Sequence, residues 1–101
     1  KAMESLIKRK PKNYVSIFST CDMLGVGVKK YLEEMKMIPK KDYSLISVDN
    51  LPISRLFRLT TIRQPLSEMA EIAYRMFISS LKGREKVEHH KLTCKIVERE
   101  T

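Results

Sequence analysis

Apolar residues recur along this chain at two spacings. Met3, Leu6 and Ile7 sit at helical intervals ahead of Pro11, which predicts the last turns of a helix over residues 2–9. YVSIFS, residues 14–19, reads as a short buried strand. A helix is predicted over 22–36, with Leu24, Val28, Tyr31, Leu32 and Met35 along one face. The run Leu45, Ile46, Val48, interrupted by Ser47, predicts a second buried strand that stops at Asp49-Asn50 and Pro52. A short helix follows from Pro52 to Phe57, and residues 59–65 are again β-prone up to Pro65. The longest helix is predicted over 65–82, where Leu66, Met69, Ala70, Ala73, Met76, Phe77 and Leu81 form one apolar face expected to be core. Glu68 and Glu71 early, Lys82 late and Gly83 just beyond supply its start and stop signals. Lys91 to Arg99 alternates Leu92, Cys94 and Ile96 against Thr93, Lys95 and Val97, a final strand.

Residues 14–48 therefore spell strand, helix, strand, and a crossover of that length joins parallel strands. The fold class expected is α/β, built on a parallel-sheet βαβ unit. Parallel neighbours end at the same sheet edge, so Thr20-Cys21-Asp22 and Asp49-Asn50 are expected side by side at the carboxyl ends, where open α/β sheets take ligands. Thr20 or Asp22 is a candidate N-cap. Gly25 and Gly27 each cost about 1 kcal/mol inside a helix. Two so close together predict a surface pressed against another backbone, either a partner subunit or the chain's own sheet. Their spacing does not make a phosphate-binding loop.

Composition narrows the class. The 101 residues suit one small domain, and 43% hydrophobic with 32% charged content is that of a globular protein. The net charge of +8 comes from 20 basic and 12 acidic residues, dispersed except for Lys8-Arg9-Lys10-Pro11-Lys12 and Lys40-Lys41 in expected loops. A solvated surface accounts for this better than a nucleic-acid footprint. The chain opens at Lys1 within a helical phrase, as expected of a piece of a longer protein. Cys21 and Cys94 match no metal or redox spacing, and reduced thiols are expected.

Asp49 is the first candidate for chemistry. A carboxylate at a strand end suits hydrogen bonding to adjacent sugar hydroxyls or purine N–H groups; the alternative is a turn-forming role toward its own backbone. His89-His90 are expected on a strand with opposed side chains, so they do not chelate together. No nucleophile, base and orienting group share a sensible spacing, so no catalytic residues are expected. A helix-turn-helix on 66–86 fails because Tyr74 or Phe77 stands where the turn wants glycine.

Two motifs carry a resemblance. SLISVDN (Ser44–Asn50) and LTTIRQP (Leu59–Pro65) resemble the closing part of the effector-binding domain of LacI/GalR-family bacterial transcription regulators, with Ser47 where glycine is usual. The resemblance extends through Phe18–Leu24 and Glu98–Thr101. It implies a periplasmic-binding-protein-like type I fold of two lobes, of which 1–101 would be a C-terminal fragment. Residues 14–58 would be the distal-lobe βαβ unit, 59–65 an interlobe crossover, and 65–101 a helix and final strand. It further implies effector contacts from Asp49, Cys21, Asp22 and Asn50, with Cys21 where asparagine is common. Dimers would form partly through the 22–36 helix, with Val26 and Lys30 at the interface. The implied partners are a second copy, a small sugar or nucleoside-like effector, and DNA through a headpiece this chain lacks. No cofactor or metal is implied, and the location would be cytoplasmic. The segment between Asp49 and Leu59 is shorter than the family pattern. A sugar-binding protein of an ABC transporter shares the fold and is the competing expectation.

Overall fold

The computed structural model describes residues 2–8, 14–83 and 89–101. The described chain falls into two units, Lys1–Arg63 with Lys95–Thr101, and Gln64–Cys94. The first holds a four-stranded sheet in the order β1 (Val15–Phe18), β2 (Tyr43–Val48), β3 (Thr60–Arg63), β4 (Lys95–Val97), together with α1 (Ala2–Lys8), α2 (Asp22–Glu34) and α3 (Pro52–Leu56). β1, β2 and β3 are parallel and β4 is antiparallel to β3, so the expected α/β fold with its parallel βαβ unit is present.

β2 alternates in burial. Tyr43, Leu45 and Ser47 are buried while Ser44, Ile46 and Val48 are half-buried, as two-residue periodicity requires. The core joins Val26, Leu32, Met37, Tyr43, Leu45 and Leu59, and Met3, Ile7, Val15, Ile17, Val28, Ile53 and Phe57 pack around it. Gly25 sits against β2: a Cβ there would lie 3.1 Å from Ser47 Cβ and 3.3 Å from Leu59 Cδ1. Of the two explanations for the helix glycines, Gly25 therefore takes packing on the chain's own sheet. Gly27 meets nothing within 4 Å.

The apolar face expected for α2 is only partly the buried one, through Leu32 and Val28. Its buried residues are Asp22, Gly25, Val26, Lys29 and Leu32, whereas Leu24 is 59% exposed and Met35 is also exposed. The buried lysine explains part of the rotation. Its long stem crosses the packed layer so that Nζ donates to the Phe57 carbonyl at 2.6 Å, closing the C-terminal end of α3. Nζ also lies 3.5 Å from Glu33 and 4.0 Å from Glu100.

The chain's last residues lock β2 to β3. Thr101 Oγ1 accepts from Thr60 N at 2.8 Å and donates to the Leu45 carbonyl at 2.7 Å. Arg58 and Glu100 form an ion pair that raises the arginine pKa and lowers that of the carboxyl.

The second unit is α4 (Leu66–Leu81) with its flanking segments. Its apolar face was expected to be core, but no residue of the helix is buried, and Leu66, Tyr74, Phe77 and Leu81 are exposed. His89 and His90 lie outside any strand, so the opposed-face argument does not apply to them. The basic cluster continues into residues 9–12, which lie outside the described residues, whereas Lys40 pairs with Glu98 at 3.5 Å.

Candidate functional site

The parallel register fixes which residues meet. Phe18 pairs with Ile46 and Val48 with Ile62, so the loops leaving β1 and β2 emerge at one carboxyl edge. Contact between those loops is direct. Asp22 Oδ2 accepts from Leu51 N at 2.7 Å.

The expectation that Thr20 or Asp22 caps α2 is corrected. Cys21 is the N-cap residue, extended at φ −154°, and no side chain caps the helix. Ser19 Oγ donates to the Cys21 carbonyl at 2.9 Å, and Cys21 itself is half-buried. Asp22 turns inward instead. It is 0% exposed, and its Oδ1 accepts from Ser47 Oγ at 2.5 Å and from Thr61 Oγ1 at 2.6 Å. Burial alone would raise the Asp22 pKa, but the hydrogen bonds from Ser47, Thr61 and the Leu51 amide outweigh it and hold the carboxyl below the ordinary aspartate value. Both oxygens of Asp22, expected among the effector contacts, thus accept hydrogen bonds from within the fold.

Asp49 and Asn50 form the turn that leaves β2. Both have positive φ, +114° and +56°. Asn50 suits the left-handed region, while Asp49 lies outside it and is strained by about 1–3 kcal/mol. The turn is held on several sides. Asp49 N donates to the Ile62 carbonyl at 2.9 Å and Asn50 N to Thr61 Oγ1 at 3.3 Å. Asn50 Oδ1 accepts from Arg99 Nη2 at 2.9 Å, and Arg99 Nη1 also donates to the Leu59 carbonyl at 2.6 Å. Asn50 is therefore chiefly a brace, and Asp49 remains half-exposed at the edge.

Sequence reasoning overlooked Ser47, Thr61 and Arg99. The serine breaking an apolar run was the available signal: a buried hydroxyl needs a partner. On the other side of the turn, Asn50, Leu51, Pro52, Arg55, Leu56 and Arg99 line an open groove of about 700 Å³.

Of the two expected interface residues, Val26 is 7% exposed and packs in the core. Lys30 is exposed, with its ammonium 5.3 Å from the Phe57 ring centroid.

A three-stranded parallel edge with a strand-end carboxylate and a return strand defines a class. Residues 1–101 match the model of the periplasmic binding protein-like domain, and the chain belongs to that family. Its relatives place it more narrowly, among the LacI-family transcriptional regulators. It is 32% identical over 89 residues to the HTH-type transcriptional regulator RegA of Clostridium acetobutylicum, covering 85% of this chain and 27% of that protein. A LacI-family transcriptional regulatory protein from Corynebacterium glutamicum superposes with a TM-score of 0.78 at 28% identity, covering 98% of this chain and 39% of that one. A periplasmic binding protein/LacI transcriptional regulator from Alkaliphilus metalliredigens, complexed with D-xylulofuranose, superposes with a TM-score of 0.77 at 26% identity, over 99% and 37% of the two chains. The chain thus spans well under half the length of each. Among the described residues no helix is long and apolar enough to cross a membrane.

Proposed function

We propose that this chain is the effector-sensing part of a cytoplasmic LacI-type regulator, and that Asp49 bonds a small sugar or nucleoside-like molecule held between two lobes. The observation that carries the reading is the common carboxyl edge of β1 and β2, which brings Cys21 and Asp49 to one rim. A half-exposed carboxylate there accepts bonds from adjacent hydroxyls. The D-xylulofuranose bound by the Alkaliphilus metalliredigens protein supports a sugar in this role. Residues 59–65 and the stretch near 92–99 act as crossovers to the second lobe, consistent with the division of the chain at Arg63/Gln64 and Cys94/Lys95. The effector favours closed lobes over open ones, and that bias passes through a homodimer to DNA-reading headpieces. The outer face of α2, where Met23, Leu24, Lys30 and Met35 are exposed, is the dimer surface.

The test is calorimetric titration of the full-length regulator with D-ribose, D-xylulose and guanosine. Asp49→Ala is expected to weaken the ligand that binds by about 10- to 100-fold, the worth of charged hydrogen bonds. Unchanged affinity in Asp49→Ala removes the assignment. An upstream helix-turn-helix, rather than a secretory leader, separates the regulator from a transporter's binding protein.

A further inference from the structure

The Asp22 carboxylate gathers three donors from three different elements. Ser47 Oγ comes from β2 at 2.5 Å, Thr61 Oγ1 from β3 at 2.6 Å, and the Leu51 amide from the loop at 2.7 Å. Ser47 and Thr61 are register partners on adjacent strands, so their hydroxyls stand side by side beneath the first residue of α2. A buried carboxylate is costly unless its lone pairs are filled, and these three donors fill them. An aspartate at this position of a helix ordinarily serves its own N-terminus. This one reaches 29 residues along the chain to the amide that follows the turn.

What that amide follows is a turn with two positive φ values, Asp49 at the unfavourable +114° and Asn50 at +56°. Unfavourable φ values persist only where the surroundings over-determine them. Here Leu51 N is fixed by Asp22, Asn50 N by Thr61, and Asp49 N by the Ile62 carbonyl. Thr61 Oγ1 therefore serves twice, as donor to the carboxylate and acceptor for the turn. A network serving only the core would not need to end on the loop amide.

We propose that Asp22, Ser47 and Thr61 form a positioning device that sets the 49–51 backbone, and with it the place from which the Asp49 side chain meets the effector. The three are positioning residues and touch no ligand. The proposal rests on the effector reading of Asp49, and one arm of its test does not.

In the full-length regulator, amide hydrogen exchange at Leu51 and calorimetric binding of D-ribose and D-xylulose are compared across Ser47→Ala, Thr61→Val, Thr61→Ser and Leu32→Val. Ser47→Ala and Thr61→Val are expected to speed Leu51 exchange about tenfold, the loss of one charged hydrogen bond, and to weaken sugar binding severalfold, by no more than that factor. Thr61→Ser, which keeps the hydroxyl, restores both. Leu32→Val lowers the melting temperature and leaves both unchanged. Wild-type exchange and affinity in Ser47→Ala and Thr61→Val, or losses no greater than those of Leu32→Val at equal destabilisation, overturn the proposal. If Asp49→Ala leaves the affinity for every ligand the wild type binds unchanged while Leu51 exchange responds as expected, the effector reading fails and the turn clamp stands. If the wild type binds in an Asp49-dependent way and both variants bind equally well, the clamp fails and the effector reading stands.

Discussion

Gly25 and Gly27 lie two residues apart on one helix, and replacing each with alanine should move stability in opposite directions. In both cases alanine stabilises the helix by about 1 kcal/mol, because it loses less backbone entropy than glycine. At Gly27 the new methyl meets nothing within 4 Å, so that gain stands alone. At Gly25 the methyl would sit 3.1 Å from Ser47 Cβ and 3.3 Å from Leu59 Cδ1. The Leu59 contact is with the far end of a side chain, though one that is itself fully buried. Ser47 Cβ cannot give way, because it is attached to β2 and its hydroxyl is bonded to Asp22. Relief requires α2 to lift from the sheet, and overpacking of this kind costs about 1–3 kcal/mol. The net is a loss of about 1 kcal/mol for Gly25→Ala against a gain of about 1 kcal/mol for Gly27→Ala, a separation of about 2 kcal/mol. Urea unfolding of the two variants in the full-length protein, followed by circular dichroism, reads it directly. Equal midpoints, or a stabilised Gly25→Ala, would refute the close approach of α2 to β2. Sedimentation of Gly27→Ala adds a second reading. A weakened dimer would mean that the open space at Gly27 is filled by the partner copy.

Two further substitutions test the buried polar groups. Asp22 has a depressed pKa in the folded chain, so its stabilising effect is present above the unfolded value and is lost as pH falls through the folded one. Asp22→Asn is expected to lower stability by about 2–3 kcal/mol at pH 7. The gap from wild type should begin to close near the ordinary value of 3.8 and continue closing below it; a gap constant from pH 7 to 2.5 in urea titrations refutes the network. Tyr43 is 0% exposed, its pKa is raised by burial, and its hydroxyl has no hydrogen-bond partner among the described residues. Tyr43→Phe should therefore be neutral or stabilising by up to about 1 kcal/mol, and a clear drop in melting temperature would show that the hydroxyl is satisfied.

Period and punctuation carried much of the fold. The strand–helix–strand unit was legible because β2 is an apolar run of the right length stopped by Asp49-Asn50 and Pro52, with a 13-residue helix, α2, between the strands. The facing of α2 was legible only in part. Periodicity marks one apolar stripe, Leu24, Val28, Tyr31, Leu32 and Met35, of which Leu32 is buried and Val28 packs on the core. The sheet selected the stripe that permits the closest approach. Gly25 lets the helix lie on Ser47, and Lys29 is buried because the Phe57 carbonyl waits for its ammonium. Neither reason is visible until the second element is in place. Part of the apolar stripe is left exposed, at Leu24 and Met35. An apolar face without a cover in its own chain is what a partner copy would bury.

The rim shows the same division between topology and chemistry. Parallel strands require the segments after β1 and β2 to meet, and they do, through the Asp22 bond to Leu51 N. Which of the meeting carboxylates faces outward depends on the donors beneath them. Ser47 and Thr61 present two hydroxyls at paired positions under α2, and a carboxylate above them gains more from that pair than from solvent. Asp22 is drawn in, and the half-exposed carboxylate left at the strand end is that of Asp49. The substitution of serine within an otherwise apolar strand is thus connected to the site two residues later. On the proposed effector reading of Asp49, that serine supports the turn on which Asp49 stands, so ligand affinity there should depend on a hydroxyl that no ligand touches.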